Sequence, residues 1–421
     1  MTAKEAIEYI ENYTWSTTKL GLDRTRILLA GLGDPQKKLK FVHITGSNGK
    51  GSTCALIDSI LRCAGYRTGL YTSPYLVNFN ERIKINGIDI PDDDLARITS
   101  RVREIADKME DHPSQFELVT AVAMEYFYDQ KCDIVVLEVG MGGALDSTNV
   151  IEAPEAAVFT NIGLEHTEYL GKTIEAIAET KGGIIKPGCD CVVYDGDKSA
   201  VDVLRNICLE KAVPMTVVDF SAVKPLYHSL NAQTVRWNDM KLRLPLLGKH
   251  QRNNLCVSLE VIKVLQKRGW HINEDAIREG VSTVSWPARF QILSRKPLFI
   301  LDGGHNPQCA EAMADILADY MKGKKVTFLM GVLADKDYNS MLDSVCPHAA
   351  RFVCVTPDSP RALKGERLAE ILHERGFDAA YCASISDGVE EAEKYSDPIV
   401  AFGSLYMSGA ILKYFKAHDG K

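Results

Sequence analysis

The sequence predicts an α/β protein with two domains, each built on a mainly parallel sheet. Short apolar runs rich in β-branched residues alternate along the chain with segments of helical period, a pattern typical of strands covered by helices. The length of 421 residues exceeds that of one ordinary domain. The composition, 46% hydrophobic and 25% charged, is that of a packed globular protein and excludes wholesale disorder.

The first half of the chain supplies the strands of the larger domain. Its candidate buried strands are Phe41–Thr45, Gly69–Ser73, Asp133–Val139, Ala156–Asn161 and Cys191–Tyr194. After the first strand, Ser52–Ala64 carries one apolar helical stripe, and Gly65 follows as its C-cap. The alternating segment Thr234–Leu246 predicts antiparallel strands at the edge of this sheet, and a helix over Gln251–Lys267 follows.

A proline-containing joint, Ser285–Phe290, has no clear period and separates the two halves. The α/β rhythm then restarts with a helix from Pro307 and with the candidate strands Leu298–Leu301, Lys325–Met330, Arg351–Thr356 and Pro398–Phe402. We therefore place the domain boundary near residue 288, which gives domains of residues 1–287 and 288–421. Each is large enough to bury a core of its own.

Charge and apolar patterning exclude several classes of partner. The formal net charge of −7 disfavours a broad nucleic-acid-binding face but allows a local cationic pocket for an anion. No run of about 18 apolar residues occurs, so no membrane span is expected. Residues 1–15 are acidic and helical in period, unlike a secretory signal. The 11 cysteines, without any C-x-x-C pair, are typical of a reducing cytoplasm, where we place the protein. A zinc site from Cys189 and Cys191 would lack further ligands.

The strongest local signal follows the first strand. The segment TGSNGKGS (45–52) joins a buried strand to a helix through a glycine-rich turn. Glycines allow backbone N–H groups to point inward, the helix N-terminus adds partial positive charge, Lys50 adds a full charge, and Ser52 can reach Mg²⁺. The spacing is a compact variant of G-x-x-x-x-G-K-[ST], because Ile44 and Gly51 stand where that motif has Gly and Ser. The pattern predicts a phosphate-binding loop, and an ordinary glycine-rich turn with an exposed lysine is the alternative.

Polar residues at the ends of other strands indicate a cation near this loop. In open α/β sheets, ligands bind beyond the carboxyl ends of the strands, where Ser73, Glu138 and His166 are expected. A carboxylate inside an apolar run is costly unless it is paired or metal-bound, so Glu138 is predicted to bind Mg²⁺. His166 is equally compatible with a ligand and with a loop histidine, because Mg²⁺ prefers oxygen. On sequence alone, Lys181 and Lys186 are interpreted as a cation pair at a helix C-terminus.

The second half contributes a strand-end turn of its own. The segment LDGGHNP (301–307) follows a buried strand and opens a helix, with Asn306 as N-cap and Pro307 at the first helical position. Asp302 is a natural partner for a ribose or a water, and His305 is a polar contact at the helix start. Arg289, in the joint, is expected to face the cleft between the domains and to meet phosphate or adenine.

Eight segments, taken in order, resemble the Mur ligase superfamily, and within it the folylpolyglutamate synthase and bifunctional dihydrofolate synthase family. They are TGSNGKGS (45–52), TSPYLVNFNERIKING (72–87), EVGMGGALDSTN (138–149), NIGLEHTEYLG (161–171), ETKGGIIKPG (179–188), GKHQRNN (248–254), WPARFQ (286–291) and LDGGHNP (301–307). The resemblance implies a P-loop parallel-sheet ATP-binding N-domain and a smaller Rossmann-like C-domain that closes over the nucleotide. It also implies ATP-dependent addition of L-glutamate to a folate γ-carboxylate, or to dihydropteroate, through an acyl phosphate.

The resemblance also assigns roles residue by residue. It implies ATP contacts by Thr45, Gly46, Asn48, Gly49, Lys50, Gly51, Ser52, Asn254, Arg289 and Asp302. It implies Mg²⁺ ligands at Ser52, Ser73, Glu138 and His166. It implies pterin-side contacts by Gln115, Phe116, Glu117, Leu145, Asp146 and Ser147, with Phe116 as a stacking ring. The residues expected to act in catalysis are Lys50, Glu138, His166, His305 and Lys181, the last in carbamylated form.

Departures from the family's pattern are few. Ala144 and Ala288 stand where the family commonly has Arg and Gly, and neither change removes a candidate metal or phosphate ligand. The alternatives are dihydrofolate synthase activity alone, another Mur-type amide ligase, and a nucleotide-binding regulator without ligase chemistry. We expect a monomer that binds folate or dihydropteroate and L-glutamate, with no nucleic-acid or membrane partner.

Overall fold

A computed structural model describes residues 1–13 and 21–418, which form two compact units. The first unit contains residues 1–13, 21–224, 236–242 and 253–284. The second contains residues 225–235, 243–252 and those from 285 onward. The expected N-terminal helix is present as α1, Ala3–Glu11, whereas Thr14 and Trp15 of that segment lie outside the described residues. The second unit thus includes two short segments of the predicted first domain, and the domain boundary near residue 288 stays a prediction.

A mainly parallel sheet of eight strands forms the centre of the first unit. Its strands are β1 Phe41–Thr45, β2 Thr68–Tyr71, β3 Ile83–Ile85, β4 Ile88–Asp89, β5 Ile134–Glu138, β6 Ala156–Phe159, β7 Asp190–Val193 and β8 Met215–Val217. The order across the sheet is β4-β3-β2-β5-β1-β6-β7-β8, and only β3 and β4 run antiparallel to their neighbours. β1, β5 and β6 are buried along their whole length, which explains their unbroken apolar runs.

The connections change direction at β1. From β1 the chain passes to β2 on one side, and from β5 it crosses to β6 on the other side. Such a switch point opens a crevice at the carboxyl ends of the central strands, where ligands bind in α/β sheets. The predicted phosphate loop leaves β1 at this crevice.

Helices cover both faces of this sheet. Those that begin before residue 284 are α1, α2 Asp23–Gly31, α3 Lys50–Cys63, α4 Asp92–Ala106, α5 Gln115–Asp129, α6 Thr167–Leu170, α7 Ile174–Gly182, α8 Lys198–Glu210, α9 Lys249–Lys267 and α10 Glu274–Thr283. α3 begins two residues before the predicted start. Gly65 follows the cap residue Ala64 with φ +89°, the left-handed conformation that glycine adopts after a helix. None of the helices in residues 1–13 and 21–418 is long and apolar enough to cross a bilayer.

Three strands near the middle of the chain form a sheet of their own. They are β9 Val223–Ser229, β10 Ala232–Trp237 and β11 Met240–Leu244, in the order β11-β10-β9. The prediction that the alternating segment extends the edge of the main sheet was therefore wrong, because β4 and β8 form those edges. Alternation reports that one face of a strand is buried, as in β11, but it does not identify the partner strand.

In the second unit, strands and helices again alternate along the chain, and the strands form a six-stranded sheet. Its strands are β12 Gln291–Arg295, β13 Leu298–Leu301, β14 Val326–Met330, β15 Ala349–Cys354, β16 Ala379–Tyr381 and β17 Ile399–Phe402. Its helices are α11 Pro307–Met321, α12 Tyr338–Val345, α13 Gly365–Glu374, α14 Ile385–Glu393 and α15 Leu405–His418. The order is β12-β13-β17-β14-β15-β16, and only β12 is antiparallel. The predicted fold class, a parallel-sheet N-terminal part and a smaller Rossmann-like C-terminal part, is confirmed.

Candidate active site

The turn between β1 and α3 uses backbone conformations that favour glycine. Gly46 has φ +147° and Gly49 has φ +90°. A Cβ atom on Gly46 would lie 1.9 Å from the hydroxyl oxygen of Thr160, and one on Gly49 would lie 2.5 Å from the amide oxygen of Asn254. The glycines therefore allow both the path of the turn and the close approach of its neighbours. Asn254, a predicted nucleotide contact, lies directly against the loop.

Backbone hydrogen bonds fix the turn to the segment after β6. The N–H groups of Ser47 and Asn48 donate to the carbonyl oxygen of Asn161, at 2.8 and 3.2 Å. The Ser47 hydroxyl lies 3.0 Å from both the N–H and the carbonyl oxygen of Gly163. His166 follows on the same segment, exposed and with φ +46°, at the N-cap of α6. The loop and the segment of His166 are thus held as one structure.

Two lysines converge on a single carbonyl of the turn. The Lys50 ammonium donates to the carbonyl oxygens of Gly46 and Ser47, at 2.8 and 3.3 Å. The Lys181 ammonium also donates to Gly46, at 3.1 Å, and to Oε1 of Glu165, at 2.9 Å. Lys181 is 1% exposed although it carries a formal charge. A concentrated positive charge therefore lies beside the glycine turn, which suits a polyanion.

Glu165 balances this charge, and sequence reasoning missed it. Burial raises the pKa of the Glu165 carboxyl, but the charges of Lys50 and Lys181 outweigh that effect and hold the pKa at about 2. Burial also lowers the pKa of Lys181, against the opposing effect of Glu165. The available signal was the position of Glu165 next to His166 in a predicted strand-end loop.

Two of the four candidate metal ligands are in direct contact. Glu138 ends β5, is 4% exposed, and accepts a hydrogen bond from the Ser73 N–H at 3.1 Å. Ser52 is buried on the first turn of α3, and His166 lies on the exposed start of α6. Within the described residues, no group of three His, Cys, Asp or Glu side chains forms a ready-made metal site. The hydroxyl and carboxylate oxygens of Ser52, Ser73 and Glu138 nevertheless match the hard donors that Mg²⁺ prefers.

The glycine turn after β5 brings together several predicted substrate residues. The ring of Phe116 packs on this turn so closely that a Cβ on Gly140 would lie 2.4 Å from the ring. Asp146 is buried, and its Oδ2 accepts a hydrogen bond from the Met141 N–H at 2.9 Å. Leu145 is half exposed. Gln115 lies beside Phe116 at the start of α5, and Ser147 follows Asp146.

Glu117 has an internal role. Its Oε2 accepts hydrogen bonds from the Ser114 N–H at 2.8 Å and from the Arg24 guanidinium at 3.0 Å, while its Oε1 accepts from the Thr25 hydroxyl at 3.2 Å. The bond to Ser114 closes a capping box at the start of α5. Both carboxylate oxygens are therefore engaged within the fold, and a substrate contact by Glu117 stays a prediction. Lys186 is engaged as well, donating to the carbonyl oxygens of Asn149 and Ile151.

In the second unit, Asp302 organises the other candidate turn. Its carboxylate accepts hydrogen bonds from the N–H groups of Phe290 and Gly304, both at 2.8 Å. Burial raises the pKa of this carboxyl, and the charge of Arg289 opposes the shift.

Arg289 donates to the carbonyl oxygen of Ala288 at 3.0 Å, and His305 Nδ1 lies 3.1 Å from the carbonyl oxygen of Gly303. Arg289, Asp302 and His305 are thus grouped within this unit.

The helix start that follows is as predicted. The side chain of Asn306 accepts a hydrogen bond from the Cys309 N–H at 2.9 Å, and Pro307 is the first residue of α11. A proline at this position loses no helical hydrogen bond, because the first N–H groups of a helix have no partner within it. The capped turn keeps Asp302 and His305 at the carboxyl end of β13.

Two sheet domains and a glycine turn at the switch point of a parallel sheet define the architecture of a nucleotide-binding α/β protein. Residues 44–262 match the Mur ligase middle domain, and residues 288–405 match the glutamate ligase domain of Mur ligases. The chain is 35% identical to the folylpolyglutamate synthase of Lacticaseibacillus casei, over 98% of both chains. It is 35% identical to the dihydrofolate synthase/folylpolyglutamate synthase of Bacillus subtilis (strain 168), over 94% of this chain and 95% of the relative.

A solved structure extends the similarity to three dimensions. Escherichia coli FolC in complex with DHPP and ADP superposes with a TM-score of 0.88 at 27% identity, over 100% of this chain and 99% of that one. The protein described here belongs to the Mur ligase family, within its folylpolyglutamate synthase and dihydrofolate synthase branch.

Proposed function

We propose that this protein is an ATP-dependent ligase that adds L-glutamate to the γ-carboxylate of a folate. The observation that carries the proposal is the charged glycine turn at the switch point of the main sheet, in a chain of this family. The bifunctional name of the Bacillus subtilis relative favours a second activity, the joining of dihydropteroate to L-glutamate. Both reactions activate a carboxylate for attack by an amine, so one site can serve both.

The phosphate loop is proposed to bind the triphosphate of ATP. Lys50 and the N-terminus of α3 would offer positive charge to the phosphates, and the Asn254 side chain lies against Gly49 of the same loop. The remaining proposed nucleotide contacts, Arg289 and Asp302, belong to the second unit. The loop neutralises the charge that spreads over the transferred phosphoryl group.

Mg²⁺ is the proposed metal. Ser52, Ser73 and Glu138 would hold it through oxygen, and His166 is a fourth candidate. When bound, such an ion neutralises negative charge on phosphate oxygens. The position of the Glu138 carboxylate, buried at the carboxyl end of β5 and next to Ser73, supports this role, because carboxylate oxygen is a donor that Mg²⁺ prefers.

The proposed reaction proceeds in two steps. The folate γ-carboxylate attacks the γ-phosphorus of ATP, so an acyl phosphate forms and ADP leaves. The amine of L-glutamate then attacks the acyl carbon, and the tetrahedral intermediate collapses to the amide and phosphate. No covalent enzyme nucleophile is needed. The role of the chain is to bind, orient and stabilise charge, with His305 proposed as a polar contact near the nucleotide.

Carbamylation of Lys181 forms part of the proposal. An ammonium beside a divalent cation is repelled, whereas a carbamate offers anionic oxygen. The buried position of Lys181 supports it, because burial lowers the pKa of the amine and carbamylation requires a neutral amine. Protein equilibrated with ¹³C-bicarbonate should give a carbamate signal that Lys181→Met removes. A signal that persists in Lys181→Met would exclude this residue.

The defining experiment uses purified protein with ATP, Mg²⁺, L-glutamate and either tetrahydrofolate or dihydropteroate. We expect glutamate-dependent release of ADP and phosphate, and a product heavier by one glutamyl residue. Formation of AMP and pyrophosphate would contradict the acyl-phosphate route. Product with dihydropteroate alone would indicate dihydrofolate synthase, and nucleotide binding without turnover would indicate a regulator. Sedimentation of the same sample tests the expected monomer.

A further inference from the structure

We infer that His43 and Thr148 are positioning residues for the substrate, acting through Asp146 on the glycine turn after β5. The inference rests on the proposed function and on the expectation, implied by the family resemblance, that Asp146 and this turn meet the pterin side of the substrate. Neither His43 nor Thr148 belongs to the phosphate loop or to the candidate metal ligands. Their contribution is to fix the direction of the Asp146 carboxylate.

A continuous chain of side-chain hydrogen bonds joins the central strand to this carboxylate. Nε2 of His43, on β1, lies 2.9 Å from the Thr148 hydroxyl oxygen. That hydroxyl donates to Oδ1 of Asp146 at 2.5 Å, and the Thr148 N–H donates to the same oxygen at 3.0 Å. The other oxygen, Oδ2, accepts from the Met141 N–H. His43 and Thr148 are fully buried, and Asp146 is 7% exposed, so the bonds are largely shielded from water.

The direction of the protons follows from the chemistry of the three groups. The Thr148 hydroxyl has one hydrogen, and the carboxylate at 2.5 Å accepts it. The hydroxyl oxygen is then an acceptor, so Nε2 of His43 carries the hydrogen and donates. Among the described residues, Nδ1 of His43 has no hydrogen-bond partner. Nε2 is therefore the ring atom that joins His43 to Thr148 and Asp146.

The turn that Asp146 holds connects two parts of the candidate site. The Thr45 hydroxyl, at the end of β1, donates to the carbonyl oxygen of Gly142 at 2.7 Å. A Cβ on Gly143 would lie 2.6 Å from the carbonyl oxygen of Lys181. The turn therefore packs between the phosphate-loop strand and α7, while Phe116 packs on Gly140. A rotated Asp146 carboxylate would release the Met141 N–H and allow the turn to shift.

Two matched pairs of variants test the inference. Thr148→Val removes the hydroxyl at nearly constant shape, and Thr148→Ser retains it. His43→Leu removes the donor, and His43→Gln retains an N–H near the position of Nε2. We expect Thr148→Val and His43→Leu to raise the KM for the pterin substrate about tenfold, with the KM for ATP changed less than about twofold. The retaining variants should stay within about threefold of wild type in every constant. In Thr148→Val, hydrogen exchange of the Met141 amide should be at least about tenfold faster.

The outcomes separate this inference from the proposed function. Equal behaviour of Thr148→Val and Thr148→Ser would overturn it, and so would a parallel loss of kcat, ATP affinity and thermal stability, which indicates a purely structural role. If the wild-type protein shows no ligation, the proposed function fails, and the exchange of the Met141 amide still decides whether the chain of bonds holds the turn. Unchanged exchange in Thr148→Val would overturn that part on its own.

Discussion

The two candidate turns, one in each unit, present polar groups at the end of a parallel strand by different physical means. In the turn after β1, Gly46 and Gly49 adopt the left-handed backbone region themselves. Near Asp302, the residues in that region are Ala288, with φ +54°, and Phe290, with φ +45°. Glycine adopts this backbone region without strain, whereas residues with a side chain, such as Ala288 and Phe290, are strained in it.

The second turn is held by a carboxylate. Asp302 accepts the N–H groups of Phe290 and Gly304, and the Ala288 N–H donates to the side chain of Gln291 at 2.9 Å. In the first turn, the corresponding side chains are cations that donate to backbone carbonyls. The path of the first turn is therefore set by its glycines, whereas the path of the second is set by the Asp302 carboxylate. The comparison predicts that substitutions affect activity in the first turn and stability in the second.

The largest effect is expected for Lys50→Ala. Its ammonium donates to backbone carbonyls of the turn, and Lys181 still pairs with Glu165 when Lys50 is absent, so the fold should persist while stabilisation of transferred phosphate is lost. We expect kcat to fall about 10³-fold, or roughly 4 kcal/mol, with little change in the melting temperature. Steady-state kinetics and a thermal melt measure the two quantities. The control is Lys267→Ala, an exposed lysine of α9. A variant that unfolds, or retains full activity, would remove the contrast between the turns.

Acid should destabilise the first unit by protonating His43, which lies on β1 just before the first turn. Burial lowers the pKa of this imidazole from 6.5 to about 3. Between pH 6.5 and about 3, the His43 imidazole is protonated in the unfolded chain but neutral in the folded one. The folded state therefore has its full stability above pH 6.5 and loses stability as the pH falls toward 3. By pH 4 the loss should reach about 3 kcal/mol. Denaturant unfolding against pH should show this slope in wild type and in the exposed-site control His271→Gln, but a flatter one in His43→Gln. An equally steep curve in His43→Gln would contradict the assignment.

Asp302→Asn should lower the free energy of unfolding, because it removes a hydrogen-bond acceptor as well as a charge. One carboxylate oxygen becomes an NH₂ group that faces a backbone N–H, so a buried donor of Phe290 or Gly304 loses its acceptor. We expect the free energy of unfolding to fall by about 2 kcal/mol. The matched control is Asp315→Asn, on the exposed face of α11, which should change it by less than about 0.5 kcal/mol. Equal denaturation midpoints for the two variants would show that Asp302 does not brace the turn.

The strands and the glycine turn could be predicted because their signals are local. β1 and β13 occur at the predicted residues, and α11 begins at the predicted proline. Unbroken apolar runs indicate strands buried on both faces, and glycine spacing with Lys50 indicates a phosphate loop. The strand ends at Ser73 and Glu138 are in contact because parallel strands end at one edge of the sheet.

The missed residues depend on contacts between distant parts of the chain. The bond between His43 and Thr148 joins residues 105 apart, and a histidine in an apolar strand shows no partner in its own neighbourhood. Glu165 acquires its role only when α7 brings Lys181 to it. The assignment of β9 to β11 to a separate sheet likewise depends on strand pairing, which alternation does not specify. Residue types and periods thus indicated the strands, the glycine turn and the candidate residues, whereas their partners depend on long-range packing.

The smallest expected effect is a gain of stability in Ala288→Gly. Ala288 is fully buried with φ +54°, a conformation in which an L side chain is strained and glycine is not. Relief of this strain should outweigh the added freedom of the unfolded chain, so we expect a gain of about 1 kcal/mol. The matched control is Ala318→Gly, on an exposed position of α11 with ordinary helical backbone, which should lose about 1 kcal/mol. A gain in the free energy of unfolding for Ala288→Gly together with a loss for Ala318→Gly, measured by chemical denaturation, would show that the second turn carries backbone strain. A loss in both variants would contradict that strain.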